Sequence, residues 1–335
     1  MIMARQEGII ERQETWGSLR YNTIEHRFSY VQKNGSDAIP YTREPILLNI
    51  DLTLKCNMSC IHCVAKDFGQ IEDLVVSPEL LSWINNKDKA PFMVVVITGG
   101  EPFLPEYEKQ LITLLREIHG KGLIVDTNGT IIPSKSILDT IVETNTLVRV
   151  SWDSINPRDE IYFRQVKPGT RRNRDIDFEY YYRKVDIIQH FRSEGVNVAV
   201  QSIIHKKNIA SILKKKDVAS ILGMPAKLRE LSIKQWYLQR FIPSYKVAGN
   251  RNLDVSSSEY ESAIDELRNR CRQENIECIP KKDRRHNSVF LLVGDGKLYT
   301  QGEKPGQKIP LGTIKSDIKY FDYVSSADHS ERYYG

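Results

Sequence analysis

Three of the chain's five cysteines, Cys56, Cys60 and Cys63, fall within eight residues in the spacing Cys-x3-Cys-x2-Cys. An odd count clustered in this way is a poor disulfide framework. In a reducing compartment such clusters more often bind metal or do chemistry. Zinc in a structural role asks for four protein ligands, usually as two paired hooks. Cys271 and Cys278 stand seven apart and make no short hook, while His62 and His119 are available as a fourth ligand without being required by spacing. Three thiolates with no obvious fourth suit an iron–sulfur cluster with one iron left open, since such clusters are normally held by four cysteines. A second group, Gly99-Gly100-Glu101-Pro102, follows about forty residues later. By itself it reads equally well as a turn between a strand and a helix.

The elements that must position these groups alternate. Ile46 to Asp51, Met93 to Ile97, Leu123 to Asp126, Leu147 to Trp152, Val196 to Ile204 and Leu231 to Phe241 read as strands, mostly in apolar runs suited to a buried parallel sheet. Helices are expected between them. Ser77-Pro78 supplies an N-cap and first helical position, Glu106 to His119 is amphipathic and closed by Gly120, and Ser134 to Glu143 starts on a serine cap. A long charged loop spans residues 156–174, a helix runs to about Glu194, and another covers Asn208 to Leu222. Six β-α units predict an α/β fold with a parallel sheet, doubly wound or curled into a barrel. The cysteines then sit at the carboxyl end of the first strand, where such sheets bind ligands. Beyond residue 243 the pattern changes to a helix over Ser256 to Glu274, a hairpin around Gly294-Asp295-Gly296 and a loose tail over the last 25 residues.

Cys56-x3-Cys60-x-His62-Cys63, followed by Gly-Gly-Glu-Pro after the second strand, resembles the radical S-adenosylmethionine (radical SAM) superfamily over about residues 46–243. His62 fills a position the family gives to an aromatic residue. The resemblance implies a partial (β/α)6 TIM-type barrel at 45–243, with an N-terminal extension at 1–44 and a small C-terminal α+β extension at 244–335. It implies one [4Fe-4S] cluster on Cys56, Cys60 and Cys63, with the open iron chelating SAM. An electron then cleaves SAM to methionine and a 5′-deoxyadenosyl radical, which abstracts hydrogen from substrate. It also implies an electron donor such as flavodoxin or ferredoxin. Gly99 and Gly100 are expected to let backbone approach the ligand, with Glu101 orienting that loop or the SAM ammonium. Asn128, in Thr127-Asn128-Gly129, is expected at the methionyl or ribose part, although a turn Asn before Gly reads as well. Ser151 is expected against SAM, and Arg164 against its carboxylate, which guanidinium geometry suits. Gln201-Ser202 are expected to face the barrel interior, and Tyr237, Gln239 and Arg240 the adenosine or substrate side.

Residues 289–314 resemble the backbone pattern of SPASM or twitch domains with the cysteines replaced, as at Thr300-Gln301, and also the C-terminal portion of viperin-like enzymes. No auxiliary cluster is expected. The basic residues His205-Lys206-Lys207, Lys167, Arg171, Arg172 and Arg174, and Lys281, Lys282, Arg284 and Arg285 predict an anionic substrate, a peptide or a nucleotide, if they converge on the barrel mouth; scattered, they are a solvated surface. A zinc-binding structural protein and a nucleic-acid-binding module are the alternatives. Forty per cent hydrophobic and 27% charged residues exclude wholesale disorder, and the net charge of +5 does not by itself predict nucleic-acid binding. No run approaches the roughly 18 apolar residues of a membrane span, and residues 1–20 lack the apolar region of a secretory signal. A cytoplasmic location is therefore expected.

Overall fold

The computed structural model describes residues 8–14, 16–33, 44–63, 65, 71–165, 174–213, 220–241, 252–281, 289–301 and 308–320. Six parallel strands form the centre: β4 (Leu47–Thr53), β5 (Val94–Gly99), β6 (Gly122–Thr127), β7 (Leu147–Ser151), β8 (Asn197–Ile204) and β9 (Gln235–Arg240). They are the six strands expected from sequence, within a few residues at each end. The helices between them are α1 (Pro78–Asn85), α2 (Glu108–Glu117), α3 (Lys135–Glu143), α4 (Pro157–Phe163), α5 (Arg174–Ser193), α6 (Lys206–Leu213) and α7 (Met224–Glu230). The chain is a partial (β/α)6 TIM-type barrel. Ser77 and Ser134 cap α1 and α3 by accepting from Leu80 N and Ile137 N, as their sequence positions predict.

Alternation along each strand sends one set of residues to the helices and the other to the barrel interior. Leu48, Ile50, Val95, Ile97, Val125, Val148, Val200 and Leu238 join the helix-side core. Val94, Val96, Ile124, Leu147, Ala199 and Tyr237 form a second, inner cluster. That inner cluster is completed from outside the barrel, by Trp16, Leu19 and Tyr21.

Leu19 and Tyr21 lie on β2, and Trp16 just ahead of it, in a small antiparallel sheet of β1 (Ile9–Glu14), β2 (Gly17–Asn22) and β3 (Arg27–Gln32). The sequence showed no period here. Yet the segment plugs the amino-terminal end of the barrel. Arg12 Nη1 donates to Pro45 O (2.9 Å) and Pro91 O (3.1 Å), ahead of β4 and β5. Asn145 donates to Thr23 O and Gln235 to Glu25 O, at the starts of β7 and β9. Gly122 opens β6 directly against Tyr21, whose Cε1 would lie 2.1 Å from any added Cβ.

The C-terminal segment extends the same sheet at both edges. Helix α8 (Ser257–Gln273), opened by a Ser256–Glu259 capping box, leads to β10 (Glu277–Lys281), which pairs parallel with β9. On the other side β11 (Val289–Leu292) pairs parallel with β4, and β12 (Lys297–Gln301) and β13 (Lys308–Thr313) follow antiparallel. The expected hairpin is β11–β12. The expected loose tail is corrected at its start, because β13 and the buried Tyr320 lie within it or overlap it. Two other expectations change. Residues 157–163 of the charged loop are helical, because Asn156-Pro157 is an N-cap followed by a first-turn proline. The stretch read as strand from Leu231 begins only at Gln235, since Ser232 at φ 56° first reverses the chain after α7.

His26, at φ 53° in the β2–β3 turn, is 4% exposed and shares a 3.1 Å hydrogen bond with Tyr21 Oη. Burial holds its imidazole down to about 4. The folded chain therefore resists a proton that the unfolded chain takes up near pH 6.5, so this contribution to stability is present above about 6.5 and lost as pH falls toward 4. Between pH 6.5 and 5.5 the loss is about 1 kcal/mol for one such imidazole. His26→Asn, which tolerates the positive φ, is expected to reduce the fall in unfolding free energy over that interval by this amount. Denaturant titrations at the two pH values measure it, and an unchanged slope contradicts the assignment.

Candidate active site

The cysteine loop leaves β4 at its carboxyl end and is gripped by two neighbours. On one side, Gly100 N donates to Thr53 O (2.6 Å) and Glu101 N to Lys55 O (2.9 Å). On the other, Ser59 N donates to Gln165 O (2.6 Å) and Ile61 N to Phe163 O (3.0 Å), at the end of α4. The glycines serve the first grip. A Cβ on Gly100 would lie 1.8 Å from Lys55 O, and one on Gly99, at φ 114°, would lie 2.3 Å from Thr53 O. The close approach they allow is to the cysteine loop itself.

Glu101 is completely buried and its carboxylate ties three segments together. Oε1 accepts from Phe103 N (3.1 Å) and Thr127 Oγ1 (2.8 Å), and Oε2 accepts from Asn128 N (2.8 Å). Burial pushes it up to about 7 against these three hydrogen bonds. Asn128 in turn reaches the cysteine loop. Its Nδ2 donates to Asn57 Oδ1 (2.8 Å) and points at Cys56 Sγ (3.7 Å), while its Oδ1 accepts from Thr130 N (2.9 Å) and Thr130 Oγ1 (2.5 Å). The side chain is engaged throughout by protein groups.

The thiols stand close enough that Cys56 feels the charge of Cys63, and Cys60 that of both Cys56 and Cys63. Among the described residues no three His, Cys, Asp or Glu donors converge tightly enough to cage a single metal ion. Burial pushes the Cys56 thiol up, and Met58 N (3.3 Å) and Asn128 Nδ2 (3.7 Å), which both face its Sγ, pull the other way. Without a ligand, burial pushes Cys60 up to about 12, and the Arg164 guanidinium pulls the other way. Sulfur ligands spread over a loop, beside N–H donors and a fixed cation, fit a cluster better than a lone ion.

Arg164 is 8% exposed and bound to Asp153, with Nε to Oδ2 at 2.9 Å and Nη2 to Oδ1 at 3.2 Å. Burial works against ionising Asp153, but the guanidinium prevails and holds it at about 2. Glu160 accepts from Asp153 N (2.7 Å) and Ser154 N (3.1 Å) and pairs with the buried Lys184, whose ammonium also donates to Ser151 O (2.8 Å). Arg164 is thus an anchor between the cysteine loop and β7. The resemblance places this guanidinium against a SAM carboxylate; in the structure its Nε and Nη2 edge is given to Asp153. Asn57, Glu160 and Lys184 were not singled out. The Asn156-Pro157 helix start would have put Glu160 in a first turn facing the end of β7.

His62, 8% exposed, lies beside Phe163 with ring centroids 6.3 Å apart. Ser151 and Gln201 pair across β7 and β8 and point inward, partly exposed although on central strands, so the barrel is open to solvent at this level. Ser202 points to the helix side instead, accepting from Trp236 Nε1 (2.8 Å) and donating to Trp152 O. Tyr237 is also displaced from expectation. Its ring faces down to the floor, with the hydroxyl 3.5 Å from His26 O and the Arg149 guanidinium 5.1 Å from its centroid. Arg149 itself forms a two-bond pair with Asp126 (2.6 and 2.8 Å). Arg240 leaves the barrel to bond Val255 O (2.6 Å) and Ser257 Oγ (2.9 Å).

Of the basic groups, Lys206 pairs with Glu259 at 2.5 Å and Lys207 sits on the Tyr162 ring. Lys281 points into the barrel, donating to Gln201 Oε1 with its ammonium 5.6 Å from the Tyr237 centroid. Lys167, Arg171, Arg172, Lys282, Arg284 and Arg285 lie outside the described residues, as does the side chain of Arg174.

Residues 50–213 match the model of the radical SAM superfamily. That stretch, just under half of the chain, carries a radical SAM domain. The chain is 28% identical over 131 residues to a probable GTP 3′,8-cyclase of Methanocaldococcus jannaschii, over 38% of this chain and 43% of the relative. It thus spans under half the length of that relative. Among solved structures it resembles SuiB of Streptococcus suis bound to S-adenosylmethionine (TM-score 0.66, 11% identity, 96% of this chain and 88% of that one). SuiB has also been solved with its precursor peptide, SuiA. It further resembles anSMEcpe with bound AdoMet (TM-score 0.60, 16% identity, 84% and 83%). At these identities the likeness is one of fold. The family implies a [4Fe-4S] cluster, SAM and a reductant. No helix among the described residues is long and apolar enough to cross a membrane.

Two substitutions test the grips on the loop. Gly100→Ala is expected to empty the site of iron, because the added carbon displaces Lys55. Asp153→Asn leaves Arg164 buried and incompletely paired, an expected loss of about 3–5 kcal/mol in unfolding free energy. Iron per chain and denaturant midpoints read the two effects. Full iron loading of the alanine variant contradicts the first, and an unchanged midpoint the second.

Proposed function

We propose that Cys56, Cys60 and Cys63 hold one [4Fe-4S] cluster and that the chain uses SAM to abstract hydrogen from an anionic substrate inside the barrel mouth. The observation that carries this reading is the placement of the cysteine loop at the rim of a chamber whose inward groups are polar and partly solvated: Ser151, Gln201, Gln239 and Lys281. Bound there, the cluster supplies the electron that cleaves SAM to methionine and a 5′-deoxyadenosyl radical, the chemistry common to the family.

The chain's own residues position and shield. Asn128 and Met58 N steady the Cys56 sulfur, and Gly99, Gly100 and Glu101 fix the height of the loop. Arg164, held by Asp153, sets a positive charge beside Cys60. His62 and Phe163 supply apolar cover on that side. Ser151 and Gln201 are the polar groups offered to SAM or substrate. Tyr237 closes the chamber from below and does not reach its mouth. The reductant is an electron donor of the flavodoxin or ferredoxin kind. Lys281 is the cation that meets the substrate's acidic group, displacing Gln201. A nucleotide is supported by the curated relative and a peptide by SuiB; both carry the anion this site asks for.

Anaerobically reconstituted protein is expected to be brown and, with SAM and dithionite, to release 5′-deoxyadenosine, an activity reduced to background in Cys56→Ala. A colourless wild-type preparation contradicts the proposal. GTP or an acidic peptide is expected to stimulate this release. Lys281→Met is expected to lower kcat/KM for the stimulating compound by about 10-fold or more, the worth of a charge-assisted hydrogen bond, while leaving iron content and the unstimulated rate unchanged. Equal kcat/KM in this variant removes Lys281 from substrate binding.

A further inference from the structure

Lys55, the residue before Cys56, is held at three atoms. Its N donates to Thr53 Oγ1 (3.0 Å), its O accepts from Glu101 N (2.9 Å), and its Nζ lies 3.0 Å from Asp73 Oδ2. The Glu101 contact belongs to the grip described above. The other two lead to Asp73, which follows the cysteine loop and precedes α1.

Asp73 collects hydroxyls. Its Oδ1 accepts from Thr53 Oγ1 (2.6 Å) and its Oδ2 from Tyr107 Oη (2.8 Å). Thr53 and Tyr107 are 1% and 3% exposed, so each hydroxyl is a buried donor that the carboxylate satisfies. With its proton given to Asp73, Thr53 Oγ1 keeps its lone pairs for Lys55 N. Carboxylate, hydroxyl and amide thus form a relay with a fixed direction, ending on the backbone just ahead of Cys56. The Lys55–Asp73 ion pair itself is largely solvated and adds little.

Asp73 is also braced from behind. Leu74 N donates to Leu52 O (3.0 Å), which ties this segment to β4. The turn between β11 and β12 closes over residues 72–73: a Cβ on Gly294 would lie 1.6 Å from Glu72 O and 2.9 Å from the carbonyl carbon of Asp73. β11 is itself paired with β4 up to Leu292 and Ile50. The C-terminal hairpin therefore abuts the segment that orients the cysteine loop.

We propose that Asp73 is a positioning residue for Cys56, acting through Thr53 Oγ1 and Lys55 N, and that the C-terminal hairpin holds it in place. The inference deepens the cluster reading given above and rests on it. Set in this way, the Cys56 end of the loop has a fixed position relative to the chamber, and SAM binding depends on residues that do not touch it.

The test uses the full chain, reconstituted and reduced with dithionite. It reads iron per chain and the SAM concentration that gives half of the SAM-induced change in the electron paramagnetic resonance signal. In Asp73→Asn, whose amide can turn an N–H toward Thr53 in place of an acceptor, that concentration is expected to rise about 5-fold or more, the effect of losing one hydrogen bond. Thr53→Val, which keeps the shape and removes the hydroxyl, is expected to give the same rise. Thr53→Ser, which keeps the hydroxyl, is expected to retain the wild-type value. Gly294→Ala, which displaces residues 72–73 and leaves the relay residues unchanged, is expected to raise it as well. Loss of iron from Asp73→Asn and Thr53→Val, with Thr53→Ser fully loaded, also supports the relay. Wild-type SAM dependence in fully loaded Asp73→Asn or Thr53→Val overturns the proposal, and so does equal weakening in Thr53→Ser and Thr53→Val. A wild-type signal indifferent to SAM contradicts the cluster reading itself, whereas a wild-type response kept by the variants contradicts only the relay.

Discussion

The buried carboxylate of Glu101 and the backbone contact beside it set the geometry on which the site depends. Glu101 leaves β5 with no solvent contact, yet it satisfies donors from its own turn and from the end of β6. Its neighbour Gly100 presses against the backbone of Thr53 and Lys55, so the cysteine loop has one available height above the barrel. A buried carboxylate without these donors would be costly, and the donors without it would be orphaned. The Arg164–Asp153–Glu160–Lys184 network performs the same service from the far side, linking α4, β7 and α5. Between these two supports the loop itself carries little regular structure, which leaves its sulfurs accessible to a ligand.

The barrel divides along its axis according to what fills it. At the amino-terminal end, aromatic and aliphatic groups from the small N-terminal sheet make a dry floor, and Asp126 and Arg149 form a compensated pair just above it. At the other end the inward groups are polar and meet solvent. Such a gradient excludes water below the reacting volume while admitting ligands from above, which suits chemistry that begins with a reactive radical. The C-terminal strands extend the wall on both edges, so that Lys281 on β10 reaches the same chamber as Ser151 on β7.

Much of this was legible in the sequence, for identifiable reasons. Apolar runs at Ile46, Met93, Leu123 and Leu147 announce buried strands because a two-sided sheet has no polar face to show. The serines at 77 and 134 mark helix starts by their hydrogen-bonding chemistry. The two motifs lie next to each other in space because β4 and β5 pair, a consequence of sequential strand order. What stayed hidden depends on direction and distance. Tyr237 and Arg240 lie on one strand but serve floor and exterior, a matter of register that a short aromatic run does not reveal. Arg164 is expected against a SAM carboxylate, but Asp153, eleven residues back across a turn, takes one edge of its guanidinium. The N-terminal sheet has no period because its buried residues cluster in β2.

The central claim is that three cysteines hold a cluster with one iron free to take SAM. Electron paramagnetic resonance of the dithionite-reduced protein, recorded with and without SAM, tests it most directly. The account predicts a [4Fe-4S] signal whose shape changes when SAM is added, with coupling to nitrogen-15 when the SAM amino group carries that isotope. A signal indifferent to SAM, or no iron–sulfur signal after reconstitution, contradicts it.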